Sequence, residues 1–133
     1  MIVVLDSNAA IEIVLKRDKA KEFSELIDTA DKTITSEFFR IEVANVIRKY
    51  YQGKFIQKAD CGKILELAEG LIDEFVPIKE NCLEAFNESI RLNYPAYDML
   101  YLTLARRTGA VLLTLDRPLN AIAKKEGIEI AEL

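Results

Sequence analysis

Residues 93–119 read NYPAYDMLYLTLARRTGAVLLTLDRPL, a helix, a tight stop and a strand in direct succession. Pro95 suits a helix start, because its missing N–H would have no intrahelical partner there. Leu100, Leu102, Leu104 and Ala105 carry apolar residues through the next turns. Gly109, after Thr108, is free to take the left-handed conformation that closes a helix. Val111–Leu115 is then a short apolar run behind a breaker, the pattern of a fully buried strand.

Two carboxylates in this stretch stand in unusual places. Asp98 begins a line through Tyr101, Leu102 and Ala105, at spacings of three, four and seven, which predicts a core-facing stripe. Asp116 sits where the strand leaves its sheet. Each also has a local explanation. Asp98 favours the positive end of a helix dipole in the first turn, and Asp116 can cap the turn into Pro118.

Outward from this stretch, strands and helices alternate. Ile2–Leu5 is a β-branched run ended by Asp6-Ser7-Asn8. Helical patterns follow over 9–16 and 20–30, then a strand over 32–35. Ser36 is a suitable N-cap for a helix running through Glu42 to Tyr51 and stopped by Gly53. A further helix spans 56–72. Phe75–Ile78 holds Pro77 and reads as an edge or short strand. Helices over 80–92 and 119–125 and a last strand over Ile128–Ile130 complete the order. The alternation predicts an α/β fold with a mostly parallel sheet. With 133 residues and no repeat or linker, a single domain, 1–133, is expected.

Composition narrows the chemistry. Half the residues are hydrophobic, enough for a real core. No apolar run approaches the ~20 residues needed to span a bilayer. The opening Met1–Asp6 has no basic n-region and its apolar run is too short for a signal peptide, so a cytoplasmic protein is expected. Cys61 and Cys82 form no CxxC pair and indicate neither zinc nor a disulfide. The chain has no histidine. That removes Ser-His-Asp triads, Cys-His dyads and HExxH metal sites together. The net charge of −4 argues against a general nucleic-acid coat protein. Four fewer acids would balance the two signs, so a basic rim around an acidic cluster remains compatible with it.

Two further acids complete the pattern. Glu42 has Phe38, Phe39, Asn45 and Val46 as helical neighbours and so stands in a largely apolar stripe. Asp6 ends the first strand, where it can also cap the following helix. In a parallel sheet, ligands bind in the crevice beyond the C-terminal strand ends. Asp6 and Asp116 end strands, and Asp98 and Glu42 lie in early helical turns that reach the same edge. Four converging carboxylates repel one another unless they protonate or hold cations. Oxygen-only donors favour Mg²⁺ or Mn²⁺ over zinc.

These residues resemble the PIN-domain nucleases. The resemblance rests on VVLDSN with Asp6, FFRIEVANVIRK with Glu42, AYDMLYLTLA with Asp98 and LLTLDRPL with Asp116. The length is similar to that of VapC-type toxins of toxin–antitoxin pairs. Met99 departs from the small residue often found beside the third acid. The resemblance implies a three-layer α/β/α fold with five parallel strands. It also implies a metal-dependent endoribonuclease in which Asp6, Glu42, Asp98 and Asp116 hold one or two Mg²⁺ or Mn²⁺ ions. Ser7, Asn8, Thr114 and Arg117 are supporting candidates, and Asn120 is a peripheral polar residue of the same loop. The implied partners are RNA, an antitoxin whose tail offers Arg or Lys to the acids, and a second copy of the chain. The helices over 9–30 and 38–51 are the candidate contact surfaces. Alternatives are an RNA-processing PIN nuclease without an antitoxin, or a non-catalytic PIN scaffold. A receiver domain would need a second acid beside Asp6, where Leu5 stands. A haloacid-dehalogenase-type phosphatase would need Asp at Asn8.

Overall fold

In the computed structural model, residues 1–131 are described. Strand β1 (Ile2–Leu5) leads into α1 (Ser7–Val14) and α2 (Ala20–Thr29). Strand β2 (Lys32–Ser36) is followed by α3 (Phe38–Gln52) and α4 (Lys58–Glu69). Strand β3 (Glu74–Val76) leads through a 3₁₀ turn (Ile78–Glu80) to α5 (Cys82–Leu92) and α6 (Ala96–Thr108). Strand β4 (Val111–Leu113) and α7 (Arg117–Lys125) follow.

The sheet is parallel throughout, in the order β3-β2-β1-β4. The chain moves from β1 to β2 on one side, and β4 later joins β1 on the other. The topological switch point therefore lies between β1 and β4, where a crevice opens beyond the strand ends. Val3, Val4, Leu5, Leu112 and Leu113 are fully buried, as strands covered on both faces must be. Helix α6 packs on β1 and β2, with α5 and α7 against it, while α1, α3 and α4 pack on one another and α2 on α1.

Among the described residues four strands form the sheet, not five. Ile130 makes a single parallel bridge to Leu112, so the expected strand over 128–130 is reduced to one contact. Gly127 turns the chain at φ 77°, and only the Leu112 N–H and carbonyl are left for it to pair with. Strand β4 is also shorter than expected, because Thr114 uses its side chain to bind neighbouring groups outside the sheet. Ser36 closes β2 and is not the cap residue of α3, although its hydroxyl still accepts from the Phe38 N–H at 3.1 Å. Pro77 ends β3 at Val76, which is the sheet edge as expected. Gly109 closes α6 in the left-handed conformation, φ 65°.

Candidate active site

The crevice begins with two adjacent strand ends. Asp6 follows β1 and donates its backbone N–H to the Leu113 carbonyl at 3.2 Å, which ties it to the end of β4. Its side chain is divided between two tasks. Oδ1 caps α1 by accepting from the Ala9 N–H at 2.9 Å, and Oδ2 accepts from the Thr114 hydroxyl. The cap expected from local sequence and the place in the crevice are therefore compatible uses of one carboxylate. Burial pushes the Asp6 carboxyl up to about 7, aided by the charges of Glu42 and Asp116; the two hydrogen bonds oppose this without cancelling it.

Thr114 links both strand-end acids. Its hydroxyl donates to Asp6 and accepts from the Asp116 N–H at 3.0 Å, and its carbonyl accepts from Asn120 Nδ2 at 3.0 Å. Asp116 caps α7, with Oδ1 accepting from the Leu119 N–H at 3.1 Å. The Tyr94 hydroxyl reaches both Asp116 oxygens at 3.3 and 3.4 Å. Partial burial and the charges of Asp116 and Asp98 push that phenol up to about 12, so it remains a donor. Asn120 Oδ1 is buried with no hydrogen-bond partner among the described residues.

The two helix-borne acids differ in support. Glu42, in the second turn of α3, accepts two hydroxyls on the same atom. Ser7 Oγ and Tyr101 OH each donate to Oε1 at 2.7 Å. Burial, with the Glu42 charge beside it, raises the Tyr101 phenol well above its ordinary range. Asp98, in the first turn of α6, is half-buried and makes no hydrogen bond among the described residues. Burial and the charges of Glu42 and Asp116 push it up to about 6. Each raised acid is thus affected by the charges of Glu42 and Asp116 across the crevice.

The supporting candidates separate. Ser7 and Thr114 are buried and bonded to the acids. Asn8 is exposed on the wall of an adjoining cleft. Arg117 is exposed on the first turn of α7 and forms no ion pair among the described residues. Tyr94 and Tyr101 escaped the reading of the sequence as hydrogen-bond donors. Tyr101 was visible only as a member of the stripe that begins at Asp98.

The donor set fits a hard divalent cation. All its donors are oxygens, and no lysine or arginine forms an ion pair with the four acids among the described residues. Among the described residues no three acid, His or Cys side chains stand close enough together to hold a metal ion as they are placed. An open set of this kind suits Mg²⁺, which keeps several waters and takes one or two carboxylates directly.

A family model described as PIN domain matches residues 3–125. The chain belongs to the PIN-domain family. Among PIN-domain relatives, it is 26% identical over 124 residues to "Ribonuclease VapC3" of Pyrobaculum aerophilum, covering 90% of this chain and 92% of that protein. The solved structure of PAE2754 from Pyrobaculum aerophilum superposes with a TM-score of 0.74 at 20% identity, over 98% of this chain and 92% of the other. VapBC2 from Rickettsia felis, bound to a DNA fragment from their promoter, gives a TM-score of 0.69 at 15% identity, over 98% of each chain. At these identities the structural likenesses speak for the PIN fold.

Proposed function

We propose that this PIN-domain protein is a divalent-metal-dependent endoribonuclease and the toxin of a toxin–antitoxin pair. The observation that carries the reading is the crevice at the switch point. It gathers carboxylates from four elements, two of them raised by burial and by neighbouring acids, with no cationic side chain paired to them among the described residues. The names of the relatives, a ribonuclease and a VapBC assembly, support RNA as substrate and an antitoxin as partner.

Asp6, Glu42, Asp98 and Asp116 would hold one or two Mg²⁺ or Mn²⁺ ions. The chemistry such a cation supplies is Lewis-acid activation of water and of the phosphodiester. Ser7 and Tyr101 fix Glu42 through Oε1 and leave Oε2 for the site. Thr114 sets the spacing of Asp6 and Asp116. Asp98, which has no hydrogen-bond donor among the described residues, keeps its oxygens for the cation and for orienting the attacking water.

An antitoxin would cover the acids with Arg or Lys, since a buried acidic cluster needs cationic partners. For a second copy, α5 offers the better face. Leu83, Phe86 and Ile90 form one exposed stripe there, 72%, 53% and 66% accessible, and a stripe calls for an explanation that single apolar residues do not. The helices over 9–30 are a poorer candidate, as Ala9, Ala10, Ile11 and Phe23 belong to the core; α3 keeps Ile41 and Tyr51 exposed. Among the described residues no helix is long and apolar enough to cross a membrane. Phe86→Glu is expected to yield monomers in sedimentation.

The test of activity is cleavage of structured RNAs in Mg²⁺, Mn²⁺ and EDTA by the wild type and Asp6→Asn. Cleavage is expected only for the wild type with a divalent ion. Undiminished cleavage in EDTA, or by Asp6→Asn, would refute the assignment.

A further inference from the structure

Beside the acids lies a cleft of about 610 Å³ whose wall includes Glu42, Phe38, Tyr97, Asn45, Arg48 and Lys49. The volume is in the range that holds a ligand of drug size, about 300–1,000 Å³. Three features describe what it would take. The first is an aromatic pair. Phe38 and Tyr97 stack with ring centroids 5.7 Å apart and planes inclined by 28°. Both line the cleft; Phe38 is half-buried, whereas Tyr97 is 51% exposed. The second is charge. Arg48 and Lys49 are exposed in the lining and form no ion pair among the described residues, and Glu42 is the single acid of the lining. The third is continuity. Tyr97 precedes Asp98 in the chain, and Glu42 belongs to both the cleft and the acid crevice. Along α3, Glu42 and Lys49 are separated by roughly 10 Å of helix axis.

We propose that this cleft is the substrate subsite of the nuclease, and that Tyr97, backed by Phe38, stacks an unpaired nucleobase next to the scissile phosphate. The inference rests on the nuclease reading above. Arg48 and Lys49 contact the phosphates of the same strand farther along, and the Asn45 amide is placed to bond a base edge. Proteins that take single strands combine these elements, a basic track and rings on which bases stack. A duplex has no free base face to offer, so the base that Tyr97 takes is an unpaired one. The charge balance of the cleft favours a polyanion over an antitoxin segment rich in Arg or Lys, for which Arg48 and Lys49 would be repulsive.

The test uses the intact protein in Mn²⁺, mixed in stopped flow with a single-stranded RNA carrying 2-aminopurine at successive positions and read before turnover. Quenching of the probe at one position beside the cut is expected for the wild type and for Tyr97→Phe, which keeps the ring. Tyr97→Ala should lose the quenching and weaken RNA binding about tenfold, as one lost base stack does. Arg48→Ala should weaken binding to all sequences and lower the slope of log affinity against log salt by about one. The same RNA annealed to its complement should bind weakly to every variant. A wild type that cleaves RNA, with Tyr97→Ala quenching and binding as well as it does, overturns the platform and leaves the nuclease standing. A wild type that cleaves no RNA in any divalent ion overturns the reading beneath it. Loss of a protein partner by Tyr97→Ala with RNA affinity intact assigns the cleft to a peptide and also overturns the proposal.

Discussion

Tyr101 donates its hydroxyl to Glu42 Oε1 at 2.7 Å, joining α6 to α3 across 59 residues of sequence. Ser7, from the first turn of α1, donates to the same oxygen. A glutamate side chain has three rotatable bonds and loses considerable entropy when fixed. Two buried donors on one oxygen offset that cost and leave the second oxygen to the crevice. The pair thus converts a flexible acid into a placed one.

Removing the Tyr101 hydroxyl tests this. Tyr101→Phe keeps the ring in a site that is 1% exposed. Loss of a hydrogen bond to a charged acceptor should lower unfolding free energy by about 1–3 kcal/mol. Because Ser7 and Tyr101 share one acceptor, the cost of the double variant Ser7→Ala/Tyr101→Phe should depart from the sum of the two singles. RNA cleavage should fall further in the double variant than in either single one. Additive urea-melt energies would count against a shared anchor.

The frame of this site was legible because its signals are local. The apolar runs Ile2–Leu5 and Val111–Leu115, each followed by an acid, mark strand ends, and the Gly109 stop marks the helix before β4. The supports were not legible, because they depend on distant pairings. A tyrosine on a buried stripe looks like packing until its hydroxyl partner, 59 residues away, is known. Thr114 was read into the strand because its neighbours are apolar, yet it ends the strand by binding Asp6 and Asp116. Ile128–Ile130 has strand-like residues, but strand length is set by the partner available, and there it is one residue of β4.

Thr114→Val should separate the hydroxyl's role from its volume. The substitution leaves the Asp116 N–H without its side-chain acceptor and removes the donor to Asp6. Since that donor lowers the Asp6 carboxyl against the effect of burial, its loss should move the Asp6 titration upward. Cleavage should fall and its acid limb shift to higher pH, while Thr114→Ser restores both. A pH–rate profile of the three proteins decides it; identical acid limbs would show that the hydroxyl does not support Asp6.

Asp6, near 7, and Asp98, near 6, also set how the metal-free protein responds to pH. Both carboxyls are raised in the folded state, so between roughly pH 4 and 7 the folded chain holds protons that the unfolded chain has released. Stability is then greatest at the acid end and is lost as pH rises through 6 and 7. Asp31 and Glu88 are lowered by the N-terminal ammonium and by Arg91, so their contribution is lost only as pH falls below the ordinary carboxylate range. In EDTA, urea melts should show a loss on the order of 2–4 kcal/mol from pH 5 to pH 8. Asp6→Asn should flatten most of that slope. Stability that rises over this interval would contradict the raised carboxyls.

Asp98 gives the sharpest test of the cluster, because among the described residues no hydrogen bond supports it. If its main interactions are repulsion from Glu42 and Asp116, removing its charge relieves the fold. Asp98→Asn should therefore abolish RNA cleavage while leaving the metal-free protein equally or more stable. The wild type should be stabilised by Mg²⁺ or Mn²⁺, because a ligand that binds only the native state contributes RT ln(1 + [L]/Kd), about 2.7 kcal/mol at 100 times Kd. Asp98→Asn should gain less. An Asp that served only the α6 dipole would behave in the opposite way: Asn would cost about 0.3–1 kcal/mol, and metal would change neither protein. Thermal melts of both proteins in EDTA and in Mn²⁺ discriminate the two, and a destabilised Asp98→Asn that still cuts RNA would remove Asp98 from the catalytic set.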